Sequence, residues 1–383
     1  MESLKQDLTH LFEEKFGSKP DYYFQAPARI NLMGEPAHYN QGFVLPCAIN
    51  YQTLLAATPR GDNKIVVTSG NYKGEVTDFE LSIPITASVQ KTWSNYLKGV
   101  STKLLDRGFV IKGANIAILG NIPMTEGLGS SASLEVVVAL ALTQISGYDL
   151  KPKDLALISQ EAEADYVGVN CSIMDQMVSA NGARNHAMLL DCRSLESQQI
   201  TIPKDIALLA IDPNKKRVLI NNEYNNRHHH CEMVARHFGV KAMGDISLEH
   251  LEENRKQLEH TAYRRAHYVI SENQRTRETA TALSSGDFKR LSQLMMQAHE
   301  AMRDDFGLNV PAINAVVEIV QEVVGESGGV RMMGGNIGNS AIAILPMDKI
   351  EAVREAMHRH YYERTGLEAA LYVCEASNGA SIL

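Results

Sequence analysis

One stretch constrains the fold more than any other: an apolar run at 114–119, a glycine and serine loop, and a helical pattern from about 131 to 146. The run reads as a buried strand, so the loop joins a strand end to a helix start. It reads Pro123-Met-Thr-Glu-Gly127-Leu128-Gly129-Ser130-Ser131-Ala132-Ser133. Gly127 and Gly129 permit positive φ and close approach of the backbone. Ser130 and Ser131 place hydroxyls beside the first free N–H groups of the helix. Together these form an anion nest on a positive helix end, suited to a phosphate or nucleotide. The same residues also suit a plain helix cap after a glycine turn. A Walker A loop is excluded, because no Gly-Lys-Ser/Thr follows. Gly127-x-Gly129-x-x-Ala132 has the dinucleotide spacing. However, it begins well after the strand end at Gly120, and no strand-terminal acid follows at the required distance.

Around this unit the texture changes along the chain. Leu4, Leu8, Leu11 and Phe12 predict an amphipathic helix at 3–16. Short apolar runs at 30–33, 43–49, 53–57 and 65–68 read as strands, and 93–107 and 153–166 as helices. Residues 206–211 form a strand closed by Asp212-Pro213. From about 222 to 325 the pattern is mostly helical, with strands at 341–345 and 370–374. These features predict two α+β domains with a boundary in the region 195–215, taken as 1–205 and 206–383. The run His228-His229-His230 fans out over about 200° of a helix, which suits a solvated face better than one shared metal.

Composition removes several classes. With 44% hydrophobic and 21% charged residues in 383, the chain can bury a core and is not disordered in the main. A net charge of −8 argues against nucleic-acid or anionic-membrane partners. The apolar stretch 134–142 contains Glu135 and is too short to span a bilayer. Five cysteines without a CxxC favour a reducing compartment, and the charged N-terminus lacks a signal-peptide core. A cytoplasmic protein is expected.

Two further segments carry candidate chemistry. Residues 26–40 put Arg29 and Glu35 on either side of an apolar strand, with turn residues behind them. Such a cluster lines a ligand site or makes an ordinary surface turn. In Cys171-Ser-Ile-Met-Asp175-Gln176, an Asp flanked by Ile and Met is costly to bury unless paired, so it is a candidate base with a cationic partner, or else a helix cap. Glu161 and Glu163, at the end of the preceding helix, could hold a divalent cation.

Taken in order, these segments resemble the galactokinase branch of the GHMP sugar and metabolite kinases. The resemblance rests on Ala26-Pro27…Arg29-x-Asn31-Leu32-x-Gly34-Glu35, Gly42-Phe-Val-Leu-Pro-Cys47, Val169-Asn-Cys-Ser-Ile-Met-Asp175-Gln176, His186-Ala…Leu190-Asp-Cys-Arg-Ser-Leu195, Glu223-Tyr224-Asn225…Arg227…Cys231-Glu232, Met302-Arg-Asp-Asp-Phe306, Gly329-Val-Arg331-Met and Gly334-Gly335. It implies an α+β, two-domain fold, S5-domain-2-like at the N-terminus and ferredoxin-like at the C-terminus, with the ligand cleft between. It also implies ATP-dependent phosphorylation of a sugar at its anomeric C1 hydroxyl by a monomer or weak dimer. By the family pattern Asp175 faces that hydroxyl, and Arg29 pairs with Asp175 and steadies the transferring charge. The loop around Gly127, Leu128, Gly129, Ser130 and Ser131 cradles the triphosphate of ATP. Ser131 and Glu163 match the Mg2+-holding pair, while Glu35, His38 and Tyr224 fall at sugar-binding positions.

The departures cluster at the ligand loops. Where the family reads Gly-Glu-His-Thr-Asp-Tyr-Asn, this chain has Gly34-Glu35-Pro36-Ala37-His38-Tyr39-Asn40. Pro36 has no N–H, and a neutral imidazole offers one acceptor where a carboxylate holds two hydroxyls. Thr125-Glu126 replaces Gly-Ala in the phosphate loop. Asn336 and Asn339 replace residues of the C-terminal glycine loop, and Met333 replaces a Thr. Three readings follow: a sugar kinase with weakened or altered sugar recognition, a catalytically weak galactokinase-like sugar or nucleotide sensor, or a scaffold that binds no ligand.

Overall fold

A computed structural model describes residues 2–36, 41–123, 127–169, 171–215, 221–334 and 340–383, without the side chains of 221–225. Helix α1 (Glu2–Phe16) leads into strands β1 (Tyr22–Asn31), β2 (Phe43–Val44), β3 (Pro46–Pro59), β4 (Lys64–Ser69) and β5 (Glu75–Glu80). Then come α2 (Ser94–Asp106), β6 (Ala114–Gly120), α3 (Ser130–Ile145), α4 (Pro152–Glu161), α5 (Met174–Asn181), β7 (His186–Asp191), β8 (Ser197–Thr201) and β9 (Ile206–Asp212). The later half carries α6 (Asn221–His237), α7 (Leu248–Glu253), α8 (His260–Ser285), α9 (Phe288–Asp304) and α10 (Pro311–Val324). The chain ends with β10 (Gly329–Met333), β11 (Ser340–Pro346), α11 (Ile350–Thr365), β12 (Ala370–Cys374) and β13 (Ser381–Ile382).

Most expected elements are present, and two differ in an instructive way. The runs at 43–49 and 53–57 fall largely on one strand, β3. Its pairing with β1 jumps from Pro27↔Gln52 to Arg29↔Ala48, so the polar break at Asn50 and Tyr51 is a bulge and not a turn. The helix expected at 153–166 runs only to Glu161 and then widens into a π turn, Ala162–Val167. The strand Gly329–Met333 escaped the sequence reading, which placed its first late strand at 341.

Three sheets result, with strand orders β13-β1-β3-β6-β4-β5, β10-β11-β9-β12 and β2-β7-β8. One core packs the first sheet against α2 to α5, through Trp93, Leu97, Val136 and Leu140 among others. A second fills the later half between its sheet and α6, α8 and α10, around Tyr268, Phe306 and Val316. A third joins the halves: Ile30, Leu32 and Leu45 meet Leu208, Leu283, Met295 and Ile342. This shared core fixes the end of β1 against α8 and the second sheet, which decides what surrounds residues 34 and 35. Among the described residues, no helix is long and apolar enough to cross a membrane. His228 to His230 lie on α6, with His228 near Glu232 at 3.6 Å. No metal-binding cluster of three His, Cys, Asp or Glu side chains occurs among the described residues.

Candidate active site

The stretch of β1 opposite the β3 bulge is the foundation of the site. Its carbonyls are tied from two helices: Ser133 of α3 donates to Ala26 O at 2.7 Å, and Ser179 of α5 donates to Pro27 O at 2.7 Å. These bonds hold the backbone just before Arg29 between the first turn of α3 and the later half of α5. The Arg29 amide donates to Leu128 O at 2.8 Å, and its guanidinium donates to Gly127 O. Gly127 and Gly129 both have positive φ, at 95° and 74°. A Cβ on Gly129 would lie 3.1 Å from the Arg29 side chain. Glycine therefore lets the arginine lie across the helix start.

From there Arg29 reaches Asp175 with two parallel bonds, Nε to Oδ1 at 2.8 Å and Nη2 to Oδ2. The expected ion pair is thus present, in the bidentate form that arginine makes best. Asp175 sits in the first turn of α5, where a carboxylate also suits the helix dipole. The two side chains are 12% and 19% exposed, so the pair opens onto solvent from an otherwise buried wall. Burial works against the Arg29 charge, but Asp175 outweighs it, with Glu35 and Glu163 adding to the effect, and the guanidinium pKa is raised.

Ser131 and Glu163 also come together. Ser131 stands in the first turn of α3, and its hydroxyl faces the Glu163 carboxylate closely enough to favour the charged form. The π turn presents Glu163 here, as such widened turns often do at functional positions. Burial raises the Glu163 pKa, and the neighbouring Ser131, Cys171 and Gln176 oppose the shift. A hydroxyl and a buried carboxylate beside a phosphate-type loop are hard oxygen donors, and this set fits magnesium.

Behind them lies a group that sequence reading missed. The Gln176 amide nitrogen is 2.7 Å from Glu163 Oε2 and 3.3 Å from Oε2 of Glu135. Glu135 is fully buried on α3, and its Oε1 has no hydrogen-bond partner among the described residues. Burial first, and the nearby Glu163 second, push the Glu135 carboxyl up to about 10. The signal was present as the single charge in the apolar run 134–142, which sequence reading used only to exclude a membrane span.

Glu35 is held differently. Gly34 has φ 99°, and a Cβ there would sit 2.3 Å from Phe43 O, so this turn admits only glycine. The Gly34 amide donates to Glu272 Oε1 at 3.2 Å, and the Tyr268 hydroxyl donates to the Glu35 carbonyl. The Glu35 carboxylate accepts from the Gly334 amide at 2.7 Å and lies 3.4 Å from Arg331 Nη2. Tyr268, Glu272 and Arg331 were not picked as site residues from the sequence. Arg331 appeared there only within a matched motif. Pro36 closes the described part of this turn. His38, Glu126, Asn336, Asn339 and the side chain of Tyr224 lie outside the described residues.

Residues 95–183 match the family model for the GHMP kinases N terminal domain, and residues 10–59 match the galactokinase galactose-binding signature. The crystal structure of Lactococcus lactis galactokinase complexed with galactose is 31% identical, covers 99% of this chain and 100% of its own, and superposes with a TM-score of 0.93. Methanococcus jannaschii mevalonate kinase is 16% identical over 93% of this chain and 98% of its own, with a TM-score of 0.68. The D-glycero-D-manno-heptose 1-phosphate kinase from Bacteriodes thetaiotaomicron is 13% identical over 94% and 98%, with a TM-score of 0.60. The last two show the shared fold.

Proposed function

The chain belongs to the galactokinase family of GHMP kinases and is a phosphotransferase, and on that premise we propose that it transfers the γ-phosphoryl group of ATP to the C1 hydroxyl of galactose or a closely related sugar. The observation that carries this reading is the bidentate Arg29–Asp175 pair resting on the carbonyl of Gly127. Phosphoryl transfer needs positioned charge more than covalent help. Asp175 has both oxygens on Arg29 and still has lone pairs to accept the sugar hydroxyl proton. That bond aims the hydroxyl oxygen at the phosphorus. Arg29 stands where negative charge builds on the transferring group. Backbone N–H groups from residue 127 into α3, with the Ser130 and Ser131 hydroxyls, receive the phosphate oxygens at the positive helix end. Ser131 and Glu163 would hold Mg2+, which supplies charge neutralisation at those oxygens. Glu35 receives a sugar hydroxyl, with His38 and Tyr224 from the neighbouring segments. In this reading the lobes are residues 1–205 and 206–383, with the ligands between them.

The test is a 31P NMR assay of the purified chain with Mg-ATP and a panel of hexoses. A sugar 1-phosphate that disappears in Asp175→Asn supports the reading, and no phosphosugar from any hexose overturns it. Pro36 and His38, in place of the family's His and Asp, favour a second reading, a binding protein with little turnover. Thermal shift separates the two, because a sensor is stabilised by sugar or nucleotide without forming product.

A further inference from the structure

Arg331 is the largest completely buried side chain among the described residues, and it lies on the edge strand β10. Its guanidinium spans the two halves. Nε donates to Leu32 O at 2.7 Å, Nη1 to Met332 O at 2.8 Å and Nη2 to Asn31 O at 3.2 Å. Its one carboxylate partner among the described residues is Glu35, at 3.4 Å. A clamp between β1 and β10 would explain the three carbonyl bonds. It would not explain the state of Glu35. There Oε2 takes both Arg331 and the Gly334 amide, while Oε1 receives no hydrogen bond from any described residue and the side chain is 11% exposed. One oxygen is pinned and the other is left to accept.

We propose that Arg331 is a positioning residue for sugar recognition, holding the Glu35 carboxylate so that Oε1 faces the sugar hydroxyl. This rests on the proposed role of Glu35 as a sugar contact. The task needs arginine. A planar fork can reach two carbonyls of β1, its own strand and a carboxylate at once, whereas a lysine ammonium is a point donor on a flexible stem.

The experiment is steady-state kinetics with galactose and Mg-ATP for wild type, Arg331→Lys, Glu35→Gln and the double variant. We expect Arg331→Lys to raise KM for galactose at least tenfold, with kcat and KM for Mg-ATP within about threefold of wild type. The double variant should be no worse than Glu35→Gln by more than about twofold, because both changes remove one interaction. An unchanged galactose KM, a parallel loss in kcat and both KM values, or additive effects in the double variant would each overturn the inference. Arg331→Gln, which can still donate to Leu32, replaces the lysine variant if that one does not fold. Failure of both to fold makes Arg331 a structural clamp only. If wild type neither binds nor phosphorylates galactose or any other hexose, the proposed function fails on its own. The crystal structure of Arg331→Lys then decides the inference: Glu35 released from Gly334 supports it, and Glu35 unmoved overturns it.

Discussion

Arg29 of β1 and the proposed sugar-contacting turn at Gly34-Glu35 follow closely along the chain, yet they are held from opposite halves of the molecule. Arg29 is fixed by Gly127, Leu128 and Asp175, with Ser133 and Ser179 tying the backbone before it. Every one of these residues lies in the first half of the chain. Glu35 and the adjoining Gly34 are held by Tyr268 and Glu272 of α8, by Arg331 of β10 and by Gly334. On the proposed roles, the difference teaches that chemistry and recognition are separable by their supports. A change in the later half should reach sugar affinity before it reaches turnover. The departures from the family pattern at Pro36 and His38 also fall on the recognition side, while Arg29, Asp175, Ser131 and Glu163 are all retained.

The hardest blow to the comparison comes at the reacting pair. Asp175→Asn keeps the shape and one acceptor for Arg29 but removes the charge. Turnover should fall by about 10³-fold, in the range seen when a positioned acid or base is lost. Galactose and ATP affinity, read by calorimetry, should stay within about fivefold. A large loss of sugar affinity instead would show that the two regions are not separable. Next in size is a repair of the recognition side. The double change Pro36→His and His38→Asp should raise kcat/KM for galactose by on the order of 10²-fold, from two contacts of about 1–3 kcal/mol each. The gain should lie in KM. A double variant that binds galactose but remains inactive would move the defect to the phosphate loop and the C-terminal glycine loop.

How far the sequence revealed this division depends on sequence distance. The strand–loop–helix unit at 114–146 and the helical stretch after 222 were legible, because each is set by local periodicity and by glycine and serine at a helix start. Arg29 and Asp175 were legible as a pair only through the family resemblance, since a carboxylate among Ile and Met asks for a cation without saying which. Residues that act by crossing between halves were not legible. Arg331 within Gly329-Val-Arg-Met reads as an interruption in an apolar strand, and Tyr268 as one aromatic of a long helix. Their partners are some two to three hundred residues away and appear only when β10 and α8 close on β1. The π turn that delivers Glu163 escaped for a related reason, since apolar spacing continues through it.

A smaller effect sharpens the reacting end through stability. Glu135 has its pKa pushed up to about 10, mainly by burial. An ordinary glutamate titrates near 4.3. Between these values the folded chain holds a proton that the unfolded chain has released, so this group makes stability fall as pH rises through that window. Glu135→Gln removes the titration and keeps the shape. Urea melts at pH 5 and pH 8 should show the variant gaining about 2 kcal/mol or more on wild type at the higher pH, with little difference at the lower. Parallel pH profiles for the two proteins would mean that Glu135 is solvated and ionised.

The smallest expected effect probes the other side through one oxygen. Tyr268 is fully buried against Phe306, with ring centroids 5.0 Å apart, and its hydroxyl donates to the Glu35 carbonyl. Tyr268→Phe retains the ring packing and leaves that carbonyl without this donor. The loss should be about 1–2 kcal/mol of stability, the usual cost of a buried acceptor left unpaired. Gly34 is still bound to Glu272 and the carboxylate to Gly334, so the turn should loosen without collapsing. KM for galactose should rise by about two- to fivefold while kcat and KM for Mg-ATP hold. The paired measurement is Ser179→Ala, which removes a bond of similar size from the backbone before Arg29. It should lower kcat and spare the sugar KM. If the two variants instead shift the same parameter, β1 transmits strain along its length, and the separation of supports does not extend to function.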